Sequence, residues 1–117
     1  MAIILNKAAY IHANTIIKNG LEVEHDSNNW NAVKPTEDEV IRYLDSHTLS
    51  EYGNWFLAIN TDADQKDPLK YMYPFGDLKV LHRSALIAIE REAGSKHHHE
   101  IKKAAQDLLN LMQSEKK

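Results

Sequence analysis

Trp55-Phe56-Leu57-Ala58-Ile59 is an unbroken apolar run between Asn54 and Asn60, and it admits two readings that lead to different folds. Read as the continuation of a short helical turn that Ser50 caps and that runs through Tyr52, Trp55 and Phe56, it makes the chain helical throughout. Read as a buried strand, it needs a partner. One stands nearby, because Lys70-Tyr71-Met72-Tyr73 alternates polar with bulky residues and then meets the turn Pro74-Phe75-Gly76-Asp77. Periodicity does not separate a buried strand from a buried helical turn over so short a run. Between the two segments, residues 60 to 68 are polar, carry three aspartates and form a surface loop.

Outward from this segment the chain reads as helices. Asn6 can cap a first one, with Leu5 outside and Tyr10 inside as a hydrophobic staple and Gly20 as its stop. Its expected apolar face is broad: Ala8, Ile11 and Thr15 beside Ala9, Ala13, Ile16 and Ile17. Residues 20 to 34 lose periodicity. Asp26-Ser27-Asn28-Asn29 is turn-rich, and Trp30 anchors this linker to the core. Thr36 and Glu39 form a capping box for a second helix that ends near His47.

Asp77 is the expected cap of a third helix that buries Leu78, Leu81, Ala85, Ala88 and Ile89 and stops at Gly94. A fourth starts at Ser95, with Ile101, Ala104, Ala105, Leu108, Leu111 and Met112 on one face. So short a connection makes the last two helices an antiparallel hairpin. The expected fold is mainly α: a small single-domain helical fold with this C-terminal hairpin and room for one short β-hairpin. Its expected organisation is an N-terminal helix and loop over 1–34, a helical module over 35–112 and a frayed tail over 113–117.

With 117 residues the chain has the size of one domain, and 43% apolar and 26% charged residues place it among chains that fold. A net charge of -3 with interspersed signs gives no basic stripe for nucleic acid. The absence of cysteine removes disulfides, thiolate nucleophiles and Cys-based metal sites. Met1-Ala2-Ile3-Ile4-Leu5-Asn6 lacks the pattern of a signal peptide, and no stretch approaches the roughly 20 apolar residues of a membrane span. The expected location is the cytoplasm.

Motifs for chemistry are weak. Consecutive residues His97, His98 and His99 diverge around a helix, so they do not converge on one metal ion, although His97 and Glu100 share a face. Asn60-Thr61-Asp62-Ala63-Asp64 opens like a calcium loop but lacks the central glycine and the closing glutamate. Asp77, His82 and Ser84 are close in sequence, yet there is no nucleophile elbow, phosphate loop or zinc helix. No catalysis, no cofactor and no metal are expected. Lys79, Arg83 and Arg91 lie near Tyr71 and Tyr73, a pairing able to stack bases and hold phosphates, diluted by Glu90 and Glu92.

The stretch from Lys70 through Tyr71-Met72-Tyr73-Pro74-Phe75-Gly76-Asp77 to His82-Arg83-Ser84 resembles small bacterial and phage-encoded proteins of unassigned function. That group carries a Tyr-x-Tyr/Phe-Pro-x-Gly-Asp stretch followed by a His-Arg-Ser helix, and is similar to segments associated with phage prohead protease proteins. The likeness extends over residues 34 to 112. It departs from the pattern at Val80-Leu81-His82, one residue longer than usual, and in the histidine run. It implies phage or prophage ancestry and a binding or assembly role, with no established activity.

The expected function is therefore a small intracellular protein–protein interaction or assembly module whose partner is a phage or host protein. Tyr71, Tyr73, Phe75, Asp77, His82 and Arg83 are its candidate binding residues. The alternative is a nucleic-acid or nucleotide binder using Lys79, His82, Arg83 and the tyrosines.

Overall fold

Residue Asn6 ties the first helix to two other parts of the chain. In the computed structural model, which describes residues 2–20 and 22–115, Ile3–Leu5 form strand β1 and Lys7–Asn19 form helix α1. Asn6 Oδ1 accepts the Ala9 N–H as the cap, while Nδ2 donates to the carbonyls of Gly53 at 2.9 Å and Phe56 at 3.1 Å. Gly20 ends the helix with φ 74, the left-handed conformation that glycine adopts without a Cβ penalty. The buried face of α1 is Ala9, Ala13, Ile16 and Ile17. It is narrower than expected: Ala8 and Thr15 are exposed, and Ile11 is 64% exposed, because the helix covers the core along one stripe only.

Past Val23–Glu24 (β2) and the short helix Trp30–Val33 (α2), the capping box of Thr36 and Glu39 opens α3 over Glu37–Ser46. A second capping box opens α4, Leu49–Gly53, and its cap is Thr48 with Glu51 rather than Ser50. A Thr-x-x-Glu pair satisfies two orphan N–H groups at once, which Ser50 has no partner to do.

The ambiguous apolar run is a strand: Phe56–Asn60 (β3) pairs antiparallel with β1 on one side and with Tyr71–Pro74 (β4) on the other. The registers set Ile4 opposite Ile59, and Ile59 opposite Tyr71. The expected hairpin is thus two strands of a three-stranded sheet whose third strand is β1; β1, β2 and β5 were not expected from the sequence. The fold is predominantly helical as expected but has mixed α/β character, with six α-helices and five short strands among the described residues. The loop from β3 to β4 is stiffened by Asn60, Asp64 and Asp67, whose side-chain oxygens accept the N–H groups two residues on.

Asp77 does not cap a helix. Its Oδ1 accepts the N–H groups of Lys79 and Val80, closing a tight turn in which Leu78 has φ 72. Leu81–His82 (β5) then runs parallel to β2, and the helix α5 begins only at Arg83 and continues to Ser95. The helix α6 spans His99–Glu115, starting later than Ser95, and turns back on α5 across residues 96–98 as the expected C-terminal pair. It also continues through part of the tail expected to fray from 113; residues 116 and 117 lie outside the described residues.

One apolar cluster joins all layers: Ala13 and Ile17 of α1, Leu57 of β3, Leu86 of α5, and Ile101 and Leu108 of α6. Gly76 is required where the turn meets this core. A Cβ there would lie 2.5 Å from the Val80 carbonyl oxygen and 2.6 Å from the Trp55 ring. Gly76→Ala is expected to cost about 1 to 3 kcal/mol by overpacking; an unchanged urea midpoint would show that this turn yields freely. No helix among the described residues is long and apolar enough to cross a membrane.

Candidate functional site

His82, 5% exposed, stands between two carboxylates. Its Nδ1 lies 2.8 Å from Asp26 Oδ2, and its Nε2 lies 3.1 Å from Asp77 Oδ2. Asp26 comes from the turn-rich segment read as linker, and its other oxygen accepts the Ser84 N–H at 2.9 Å. The first turn of α5 is therefore capped by a carboxylate far away in sequence. The Ser84 hydroxyl lies beside the same carboxylate but makes no hydrogen bond within bonding geometry. Trp30 leans on the imidazole, with ring centroids 5.8 Å apart.

The electrostatics follow from this geometry. Burial alone would lower the His82 pKa, but the hydrogen bonds and charges of Asp26 and Asp77 together outweigh it and raise the pKa above its ordinary 6.5. Burial likewise pushes Asp26 and Asp77 upward, and is outweighed in both. The backbone N–H of Ser84 and then His82 act on Asp26, while the Val80 N–H and His82 act on Asp77, and both carboxylates end below 3.8. An imidazolium donating from both nitrogens is a clamp that holds residues 22–34 against the start of α5. With both nitrogens engaged, it is not free to act as a base.

This clamp positions a groove. One wall is α2, which carries Trp30 and Asn31; the other is α5, which presents Ala88, Ile89, Arg91 and Glu92. Tyr73 and Pro74 of β4 complete the groove, which measures about 640 Å³. A recess of about 140 Å³ lined by Ser27, Asn28 and Ser84 shares Trp30, Asn31, Ala88 and Arg91 with it, so the two adjoin. Tyr73 adopts φ 63, and its hydroxyl lies 2.7 Å from His98 Nδ1. Burial, and then the Glu92 charge, raise the Tyr73 pKa, so the hydroxyl stays protonated.

The six candidate binding residues do not converge. Tyr73 lines the groove, and Phe75 is 0% exposed in the core, 6.0 Å from the Trp55 ring. Tyr71 packs with Tyr52 and Phe56, under the Lys70 ammonium. Asp77 and His82 form the clamp. Arg83 lines a separate recess with His25, Met112 and Gln113, and Lys79 faces another cleft with Arg42 and Tyr43. Lys34, Asn31 and Arg91 also line the groove and were not among the six; Arg91 was legible only as a basic residue near the tyrosines, and the signal for Asn31 and Lys34 was the aromatic Trp30 inside a polar linker. In the histidine run, His97 has φ 61, His98 bonds Tyr73, and His99 opens α6, while Glu100 accepts the Leu5 N–H. Among the described residues no group of three or more His, Asp or Glu side chains is placed to hold a metal ion. Comparison with protein-family models, curated proteins and solved structures finds no match for the chain.

Proposed function

We propose that this chain is a protein–protein interaction or assembly module that holds a segment of its partner in the groove between α2 and α5. The observation that carries the reading is the groove itself: Trp30, Tyr73, Pro74, Ala88 and Ile89 give it an aromatic and aliphatic floor within a polar surface. A buried clamp behind Trp30 keeps one wall in place before a partner arrives, which reduces the ordering cost of binding. The resemblance of residues 70–88 to phage-encoded proteins supports a phage or prophage setting, with a phage or host protein as partner and a role in binding rather than catalysis. The nucleic-acid alternative has less support, since His82 is buried while Lys79 and Arg83 line different clefts.

Ala88→Arg fills the groove from a partly buried position, and Lys103→Glu alters an exposed residue on α6. The expected result is a partner captured from host extract by wild type and Lys103→Glu and lost from Ala88→Arg, with all three proteins melting alike. Equal capture by a folded Ala88→Arg protein would remove the groove from the interaction.

A further inference from the structure

We infer that the partner segment is acidic: an apolar residue of the segment rests on Trp30 and Ala88, and flanking carboxylates pair with Lys34 and Arg91. This rests on the interaction-module reading. The groove carries Lys34, Arg91 and Lys96 against a single acid, Glu92, in a chain whose net charge is -3. Glu92 is already engaged, 3.4 Å from Lys96. Lys34 and Arg91 have neither a hydrogen bond nor an ion pair from their side chains among the described residues. Both are exposed. The groove is thus locally cationic on an acidic protein, and complementarity of charge selects an anionic occupant.

The form of that anion follows from what surrounds the cations. Arg91 lines both the groove and the adjoining recess, so its planar guanidinium can receive a carboxylate in two-point fashion beside the apolar floor. The recess adds the neutral hydrogen-bonding groups of Ser27, Asn28 and Asn31, which suit a peptide backbone. Two free cations make few phosphate contacts, and affinity for nucleic acid scales with their number. Pro74 and Ala88 also offer aliphatic surface rather than a run of stacking platforms. A peptide with carboxylates around an apolar residue fits better than an oligonucleotide.

The test is selection from a random displayed peptide library on the full chain, followed by affinity measurement of a labelled selected peptide against wild type and the double variant Lys34→Glu with Arg91→Glu. Both positions are exposed, so the fold is expected to tolerate the change, and circular dichroism of the double variant checks it. The expected result is enrichment of Asp and Glu around an apolar residue, affinity that falls with salt, and about a hundredfold weaker binding to the double variant. A peptide with lysine in place of its acids would then bind the double variant. Enriched peptides without acids, or acidic peptides that bind both proteins alike, would overturn the acidic chemistry and leave the module reading standing. If no peptide is enriched, the module reading fails as well; a single-stranded oligonucleotide that binds wild type and not the double variant would then assign the groove to nucleic acid.

Discussion

Replacing His82 with alanine is expected to lower the stability of the chain by about 3 to 5 kcal/mol, the range for removing one partner of a buried ionic cluster. The side chains of Asp26 and Asp77 are only 11% and 25% exposed, and the substitution leaves both carboxylates without the cation between them. The loss includes the contact with Trp30, so the variant also loosens one wall of the groove. Urea unfolding at pH 6 measures it; a loss below about 1 kcal/mol, the level of an exposed ion pair, would show that the clamp is only a surface contact.

The same cluster sets a pH window. The His82 pKa is raised on folding, so its contribution is complete below the unfolded value of 6.5 and fades as pH rises through the folded value. The Asp26 and Asp77 pKa values are lowered, so their contributions are complete above 3.8 and fade as pH falls through the folded values. Stability from the clamp is therefore greatest between about 4 and 6.5. The melting temperature of wild type is expected to fall above that window, and His82→Ala is expected to flatten the alkaline decline. An equal decline in the variant would assign it to other groups.

Phe75→Ala is expected to cost a further-reaching loss of packing, about 3 to 5 kcal/mol for a large aromatic side chain removed from a closed core. Phe75 is 0% exposed, and its backbone ties two other segments together: its N–H donates to the Trp55 carbonyl, and its carbonyl accepts the His82 N–H. The cavity would open beside Trp55 and the turn at Gly76. Chemical denaturation checks the magnitude; a cost under about 1 kcal/mol would mean that the neighbouring rings collapse into the space.

What this sequence determined by itself is local. The caps at Asn6 and Thr36, the stop at Gly20, and the apolar stripe of Ile101, Ala104, Ala105, Leu108 and Met112 depend on residues within one or two turns of each other, and each was legible. The tertiary structure decided what depends on distant partners. Trp55 to Ile59 carry no periodicity that distinguishes strand from helix, and β3 is a strand because β1 and β4 supply its hydrogen bonds on both edges. Ile3–Leu5 are too few to announce a strand without that neighbour. Asp77 has the chemistry of a helix cap, but its oxygens are taken by Lys79, Val80 and His82, and the cap of α5 comes instead from Asp26. The groove is the extreme case, since Lys34, Tyr73 and Arg91 meet only when residues 22–34 fold across α5. A side chain's chemistry is written in its own residue, whereas its partner is chosen by the path of the whole chain.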